Sequence, residues 1–172
     1  MIGLRYRRAG ALTGLALLIA GAAHAAGPPF PWKAGDPAPS IDGVALGQTE
    51  QQALAILGAP AKTSKMSGDD VWDYANGLEV VANTGDGVSI IRLLAPGAGS
   101  VGGVKVGDDA SAVLAKWGNA DTVNIPAALW NCGVWTLEVR ATGGKVTDIL
   151  LGWNQTKWPN ENPTTGTYYR PN

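Results

Sequence analysis

The strongest constraint on this chain is that it writes one pattern twice. Residues 41–58 (IDGVALGQTEQQALAILG) and 101–118 (VGGVKVGDDASAVLAKWG) align without a gap at an offset of sixty. Gly43, Val44, Gly47, Leu54, Ala55 and Gly58 thereby meet Gly103, Val104, Gly107, Leu114, Ala115 and Gly118. Farther on the echo continues with slips of one or two residues: Trp72 with Trp130, Leu78-Glu79-Val80 with Leu137-Glu138-Val139, Ile91 with Ile149, and Leu93 with Leu151. An internal period decides architecture before any site is considered. Here it predicts two copies of one helix-then-strands unit, arranged as a pseudo-symmetric pair.

The local signals inside each copy agree. Thr49 is an N-cap and Gln52, three residues on, completes a capping-box pattern. Ala53, Leu54 and Leu57 fall at helical spacing as one stripe, and Gly58 followed by Pro60 stops the helix. The second copy offers Asp108 or Asp109 as cap, Val113, Leu114 and Trp117 as stripe, and Gly118 as stop. Helices of about ten residues do not persist alone, so they are expected to lie on a sheet. Strand-like runs at 71–74, 78–82 and 88–93, and again at 128–132, 134–141 and 146–151, supply one. The expected fold is α+β: two tandem helix-plus-antiparallel-meander repeats, with helices packed on one face of a shared or paired antiparallel sheet.

Parity along the strands assigns faces. Leu78, Val80 and Ala82 share one face, as do Trp135, Leu137 and Val139, and these meet the helices. The opposite face carries Glu79, Val81, Thr136, Glu138 and Arg140. If Ile91 and Leu93 also point inward, Ile90, Arg92, Asp148 and Leu150 join that outer face.

The flanking segments read differently. Arg5, Arg7 and Arg8, the short apolar run 9–21 and the small-x-small site Ala23-His24-Ala25 make residues 1–25 a signal peptide, cleaved near Ala25. The run is too short to span a membrane, which needs ~20 apolar residues. Arg7-Arg8 leaves both the general secretory and the twin-arginine route open. A proline-rich lead (26–40) precedes repeat 1 (41–94), a linker (95–100), repeat 2 (101–153) and a polar tail (154–172). Cleavage removes the only histidine and leaves ten basic against fourteen acidic residues, a net charge of −4. The mature protein is expected to be periplasmic in a Gram-negative source and otherwise secreted. It has no basic stripe for nucleic acid and, after cleavage, no stable membrane anchor.

The pattern Gly-Val-x-Leu-Gly-x-Thr at Gly43–Thr49, a short helix ending Leu57-Gly58-x-Pro60, then Trp72-x-Tyr74 and an apolar hairpin resembles a known family. It is similar to the small outer-membrane assembly lipoproteins (the small protein A / outer membrane lipoprotein A domain). As a tandem pair it also resembles the secreted β-lactamase inhibitory proteins. The resemblance covers about residues 41–153. It implies helices on one face of an antiparallel sheet whose other face or loops bind a protein partner. The inhibitor's inserting hairpin loop falls at 83–87 here, with Asp86 as the available carboxylate. The chain departs from both groups. Cys132 is its only cysteine, so it has neither a lipidated cysteine after the leader nor a disulfide.

Catalysis is weighed by elimination. A mature chain without histidine holds no Ser-His-Asp or Cys-His arrangement and no histidine-based zinc site. Cys132, between Trp130 and Val134 in a strand, reads as a buried inert thiol. Asp69-Asp70 reads as a turn and Asp108-Asp109 as a cap, and no acidic spacing matches a calcium loop. No catalytic residue, metal ligand or cofactor is therefore assigned. Trp135, Trp153 and Trp158 have no aromatic twin in the other copy, which makes them candidates for a contact surface, since aromatic anchors dominate binding energetics. The expected function is an exported, non-enzymatic protein-binding module, of which an inhibitor or immunity-type protein acting on an envelope or extracellular protein is a special case. A periplasmic scaffold or envelope-assembly accessory is the alternative, and a small-ligand binder or enzyme is the third reading. Its partner surface is expected at Glu79, Val81, Asp86, Arg92, Trp135, Glu138, Arg140, Trp153 and Trp158.

Overall fold

Strand pairing, rather than helix packing, organises this molecule. A computed structural model describes residues 30–124 and 126–154. The expected signal peptide, the first residues of the lead and all but the first residue of the tail, Trp158 included, lie outside the described residues. The first half runs α1 (Glu50–Leu57), β1 (Lys62–Met66), β2 (Asp69–Asp73), β3 (Leu78–Asn83) and β4 (Gly87–Leu93). The second runs α2 (Ala110–Trp117), β5 (Thr122–Asn124), β6 (Ala127–Asn131), β7 (Trp135–Thr142) and β8 (Lys145–Trp153). All strands belong to one eight-stranded sheet in the order β1-β2-β3-β4-β8-β7-β6-β5. The halves join at its centre, where Ile90, Ile91, Arg92 and Leu93 pair antiparallel with Gly152, Leu151, Leu150 and Ile149.

This overturns the expectation of two helix-plus-meander repeats with helices packed on a sheet. The fold is dominated by one continuous sheet, and each helix has only eight residues. Together they bury Ala53, Val113 and Trp117, while Leu54, Leu57 and Leu114 remain half-buried. The core side of the sheet is closed more by irregular chain than by helix. Ile41, Val44, Val101, Val104 and Val106, all in turns, are buried in it. At 41–44 and 101–104 the backbone forms the same tight bridge twice, with Ile41 and Val44 exchanging both hydrogen bonds (2.8 and 2.9 Å) and Val101 and Val104 doing likewise (2.9 Å each). These matched bridges are where the Gly-Val echo becomes geometry.

Two strands lacked a sequence signal because they are edges. β1 (KTSKM) exposes or half-exposes every side chain and β5 is three residues long, so neither buries a face that would impose an alternating pattern. Lys62 and Lys65 on β1 reach Asp73 (4.0 Å) and Asp70 (2.9 Å) on β2. Charged edge residues of this kind also discourage pairing with a further strand.

From Phe30 the lead packs against the core. Phe30 stacks on Trp130 at 5.6 Å between ring centres, and Trp32 lies edge-on to Trp117 (6.1 Å) and Trp135 (6.0 Å). Rings offset or edge-on at these separations attract through their quadrupoles in addition to burying area. The Trp135 indole N–H then donates to the Asp36 carbonyl at 2.8 Å, satisfying a polar atom that burial would otherwise strand.

Candidate binding surface

The opposite face of the sheet carries a second apolar set. Val71 and Val81 are buried, and Ile90, Leu129 and Leu150 half-buried, yet none belongs to the core cluster. Register lines them up in two rows. Val71, Val81, Ile90, Gly152 and Thr136 lie side by side across β2, β3, β4, β8 and β7. In the next row Glu79, Arg92, Leu150, Glu138 and Leu129 run from β3 through β4, β8 and β7 to β6. Arg140 pairs with Asp148 one step farther along β7 and β8.

Gly152 leaves a gap in the middle of the first row. A Cβ at that position would lie 3.4 Å from Leu150 Cδ2 and 3.6 Å from Ile90 Cγ1. The two side chains thus close over the bare backbone of the central strand. An apolar floor at the join of the two halves is the result.

Charged groups border this floor on the Leu150 side. The Arg92 guanidinium donates to Glu79 Oε1 at 3.0 Å and to Asp148 Oδ2 at 2.6 Å. Asp148 is 8% exposed, and its Oδ1 has no hydrogen-bond partner. Burial alone works against the Arg92 cation. The hydrogen bonds and charges of Asp148 and Glu79 more than offset it and hold the Arg92 pKa above its ordinary value. Beside them Arg140 Nε donates to Glu138 Oε1 at 2.5 Å.

Of the residues expected at a partner surface, Glu79, Val81, Arg92, Glu138 and Arg140 share this face. The others do not join it. Trp135 is 0% exposed and sits in the aromatic cluster under the lead. Its lack of a twin reflects packing against Trp32, a residue that precedes both copies of the pattern. Trp153 is half-buried, packs against the core cluster, and has its ring beside Gly47. Asp86 is 6% exposed, so it is not an available carboxylate at a loop tip. Asn83 explains why: its Oδ1 accepts from the Gly85 and Asp86 backbone N–H groups (2.9 and 2.6 Å). Its amide group donates to Asp69 Oδ1 (3.1 Å) and Asp86 Oδ2 (3.4 Å), folding the turn inward. Trp158 lies outside the described residues. Val71, Leu129 and Gly152 were missed. Val71 was legible as the parity opposite Trp72, whereas Gly152 is a residue whose role lies in the side chain it lacks.

Cys132 is buried, and burial first, then the charges of Asp121 and Asp36, push its thiol pKa up to about 12. It is protonated and inert at neutral pH. Among the described residues no three His, Cys, Asp or Glu side chains come together in a way that could hold a metal ion. A shallow hollow lined by Leu57, Ala59, Ala61, Tyr74, Asn76 and Leu78 contains one titratable group, the Tyr74 hydroxyl. That hydroxyl donates to the Gly58 carbonyl at 3.2 Å. No helix among the described residues is long and apolar enough to cross a membrane.

No family model and no curated protein matches the chain. Among solved structures, it is similar to a cysteine-rich secretory protein from Staphylococcus aureus subsp. aureus Mu50 at a TM-score of 0.52 and 10% identity, over 78% of this chain and 53% of that one. Two others align less closely. An extracellular protein containing an SCP domain from Bacillus anthracis str. Ames gives a TM-score of 0.45 at 11% identity, over 64% of this chain and 45% of that one. A DUF4309 family protein from Bacillus subtilis subsp. subtilis str. 168 gives 0.44 at 15% identity, over 62% of this chain and 79% of that one. The chain thus spans about half the length of two of these three proteins. At such identities the likeness to the Staphylococcus protein is one of fold.

Proposed function

We propose that this is an exported, non-enzymatic protein-binding module that engages its partner through the outer face of the sheet. One observation carries the reading: Ile90 and Leu150 form an apolar floor outside the core, bordered on one side by the Glu79–Arg92–Asp148 and Glu138–Arg140 ion pairs. An apolar patch with a charged rim has the anatomy of a protein interface. A hydrolytic or redox centre would instead need converging reactive groups. Export is supported by the basic, apolar and small-x-small order of residues 1–25, and the Staphylococcus protein of similar fold is described as secretory. An inhibitor or immunity-type role is the form of this function that a face built across both halves suits best, because a partner seated there touches both.

The test is capture from envelope and secreted fractions with residues 26–172 as bait, run in parallel with Leu150→Lys and Ile90→Lys baits. Neither substitution alters a core residue. A stoichiometric partner retained by the native bait and lost from both variants is the expected result. A partner retained equally by all three baits would place binding elsewhere and remove this face from the reading.

A further inference from the structure

The charge on the outer face does not balance. Arg92 serves two carboxylates, Glu79 and Asp148, and Arg140 serves Glu138, so three anions share two guanidinium groups. The adjacent Lys62–Asp73 pair at the sheet edge is neutral in itself and leaves the surplus unchanged. Glu79, Asp148 and Glu138 keep only 15%, 10% and 20% of their side-chain surface exposed. A partner that covered this face would strip their remaining water. A purely apolar partner would therefore desolvate an uncompensated negative charge, and an acidic one would add repulsion to that cost. A basic side chain does the reverse.

We propose that the face receives an arginine or lysine projecting from a loop of the partner protein, with its methylene stem on Ile90 and Leu150 and its cation at Glu138, within the field of the enclosed Asp148. This deepens the protein-binding reading and rests on it. The geometry fits such a side chain. Long basic residues lay an apolar stem along an apolar surface and keep the charged head at its polar margin. Leu150 sits in register between Arg92 and Glu138, so the floor and the acidic margin are contiguous. The second oxygen of Glu138 retains capacity to accept a hydrogen bond, while Asp148 Oδ1, unpartnered but enclosed, adds its charge from beneath the surface. Arg140 is the more exposed cation of the set, 49% at its side chain against 28% for Arg92, and it holds one carboxylate where Arg92 holds two.

The experiment is an NMR titration of 15N-labelled residues 26–172 with three capped dipeptides: acetyl-Leu-Arg-amide, its citrulline analogue, which is neutral and of similar shape, and acetyl-Leu-Glu-amide. The arginine peptide is expected to give saturable amide shifts confined to Ile90, Glu138, Leu150 and Gly152. The other two should bind at least tenfold more weakly, and Glu138→Gln should weaken the arginine peptide severalfold while core resonances stay in place. Equal shifts from all three peptides would overturn the basic preference and leave a charge-blind docking face. Absence of saturable shifts on this face would also overturn it. The capture experiment with the Leu150→Lys and Ile90→Lys baits then decides independently whether the face docks a protein at all.

Discussion

Arg92 on β4 and Asp148 on β8 meet at 2.6 Å across the pairing that joins the two halves of the chain, although they are 56 residues apart in sequence. The same guanidinium holds Glu79 on β3, so one side chain ties three neighbouring strands on the outer face.

Arg92→Met is accordingly expected to destabilise the fold by about 2 kcal/mol, between the values for exposed and fully buried pairs, because two largely buried carboxylates lose their counter-charge. Urea unfolding measures this. Adding Glu79→Gln and Asp148→Asn to Arg92→Met should recover at least half of the loss, since the orphaned charges are then gone. A triple variant weaker than Arg92→Met alone would show that the pairs, rather than the stranded charges, set the energy.

Cys132 links stability to alkaline pH. Its folded pKa is about 12, raised from an ordinary value of 9.0, so the native state holds its proton longer than the unfolded chain does. The stabilisation is complete below pH 9 and is lost as pH rises from 9 towards 12, with a limiting slope of about 1.4 kcal/mol per pH unit. Denaturation curves at pH 7.5 and about 10.5 should show this fall, and Cys132→Ala should flatten it. A thiol reagent at pH 8 should label the protein in urea and leave the native protein unlabelled.

Gly87 opens β4 at a φ of 70°, and a Cβ there would lie 2.2 Å from the Gln48 carbonyl oxygen. Gly144 has a similar φ of 78° but nothing within 4 Å. Backbone strain alone costs about 1 kcal/mol, so Gly144→Ala isolates that term. Gly87→Ala adds the clash with the turn that precedes α1 and should cost at least about 2 kcal/mol more. Thermal midpoints of the two variants give the comparison. Equal losses would mean that the 45–48 turn gives way freely.

Trp32→Ala removes the ring that contacts both Trp117 and Trp135. Half-buried large-to-small changes of this kind cost about 2–4 kcal/mol. The near-ultraviolet circular dichroism of the aromatic cluster should collapse together with the urea midpoint. A variant of native stability would show that the lead contributes nothing to the aromatic cluster's stability.

Much of the outer face is legible in the sequence, and the reason is specific. Leu78, Val80 and Leu137 alternate with Glu79, Val81 and Glu138 because one face of each strand is buried in the core, and burial is what writes a period of two. Asp86 and Trp135 were misplaced for the opposite reason. Which way a turn carboxylate or a strand tryptophan points was decided by Asn83 and by the lead, through contacts that no spacing encodes.

The sequence by itself determined the local devices. The Thr49–Gln52 capping box forms as read, with Thr49 Oγ1 accepting from the Gln52 backbone N–H at 3.2 Å and Gln52 Oε1 accepting from the Thr49 backbone N–H at 2.9 Å. The Gly-Val echo folds into matched bridges at 41–44 and 101–104. Only the tertiary structure decided that β1 and β5 exist, that β4 and β8 join into one eight-stranded sheet, and that turns and the lead cover its core. Caps and tight turns are closed by residues a few positions apart, so their energetics are local and visible in order. Edge pairing is made by backbone hydrogen bonds that ask nothing of the side chains. The join of the halves rests on contacts between residues nearly sixty positions apart, whose entropy of closure is met only when the whole core forms.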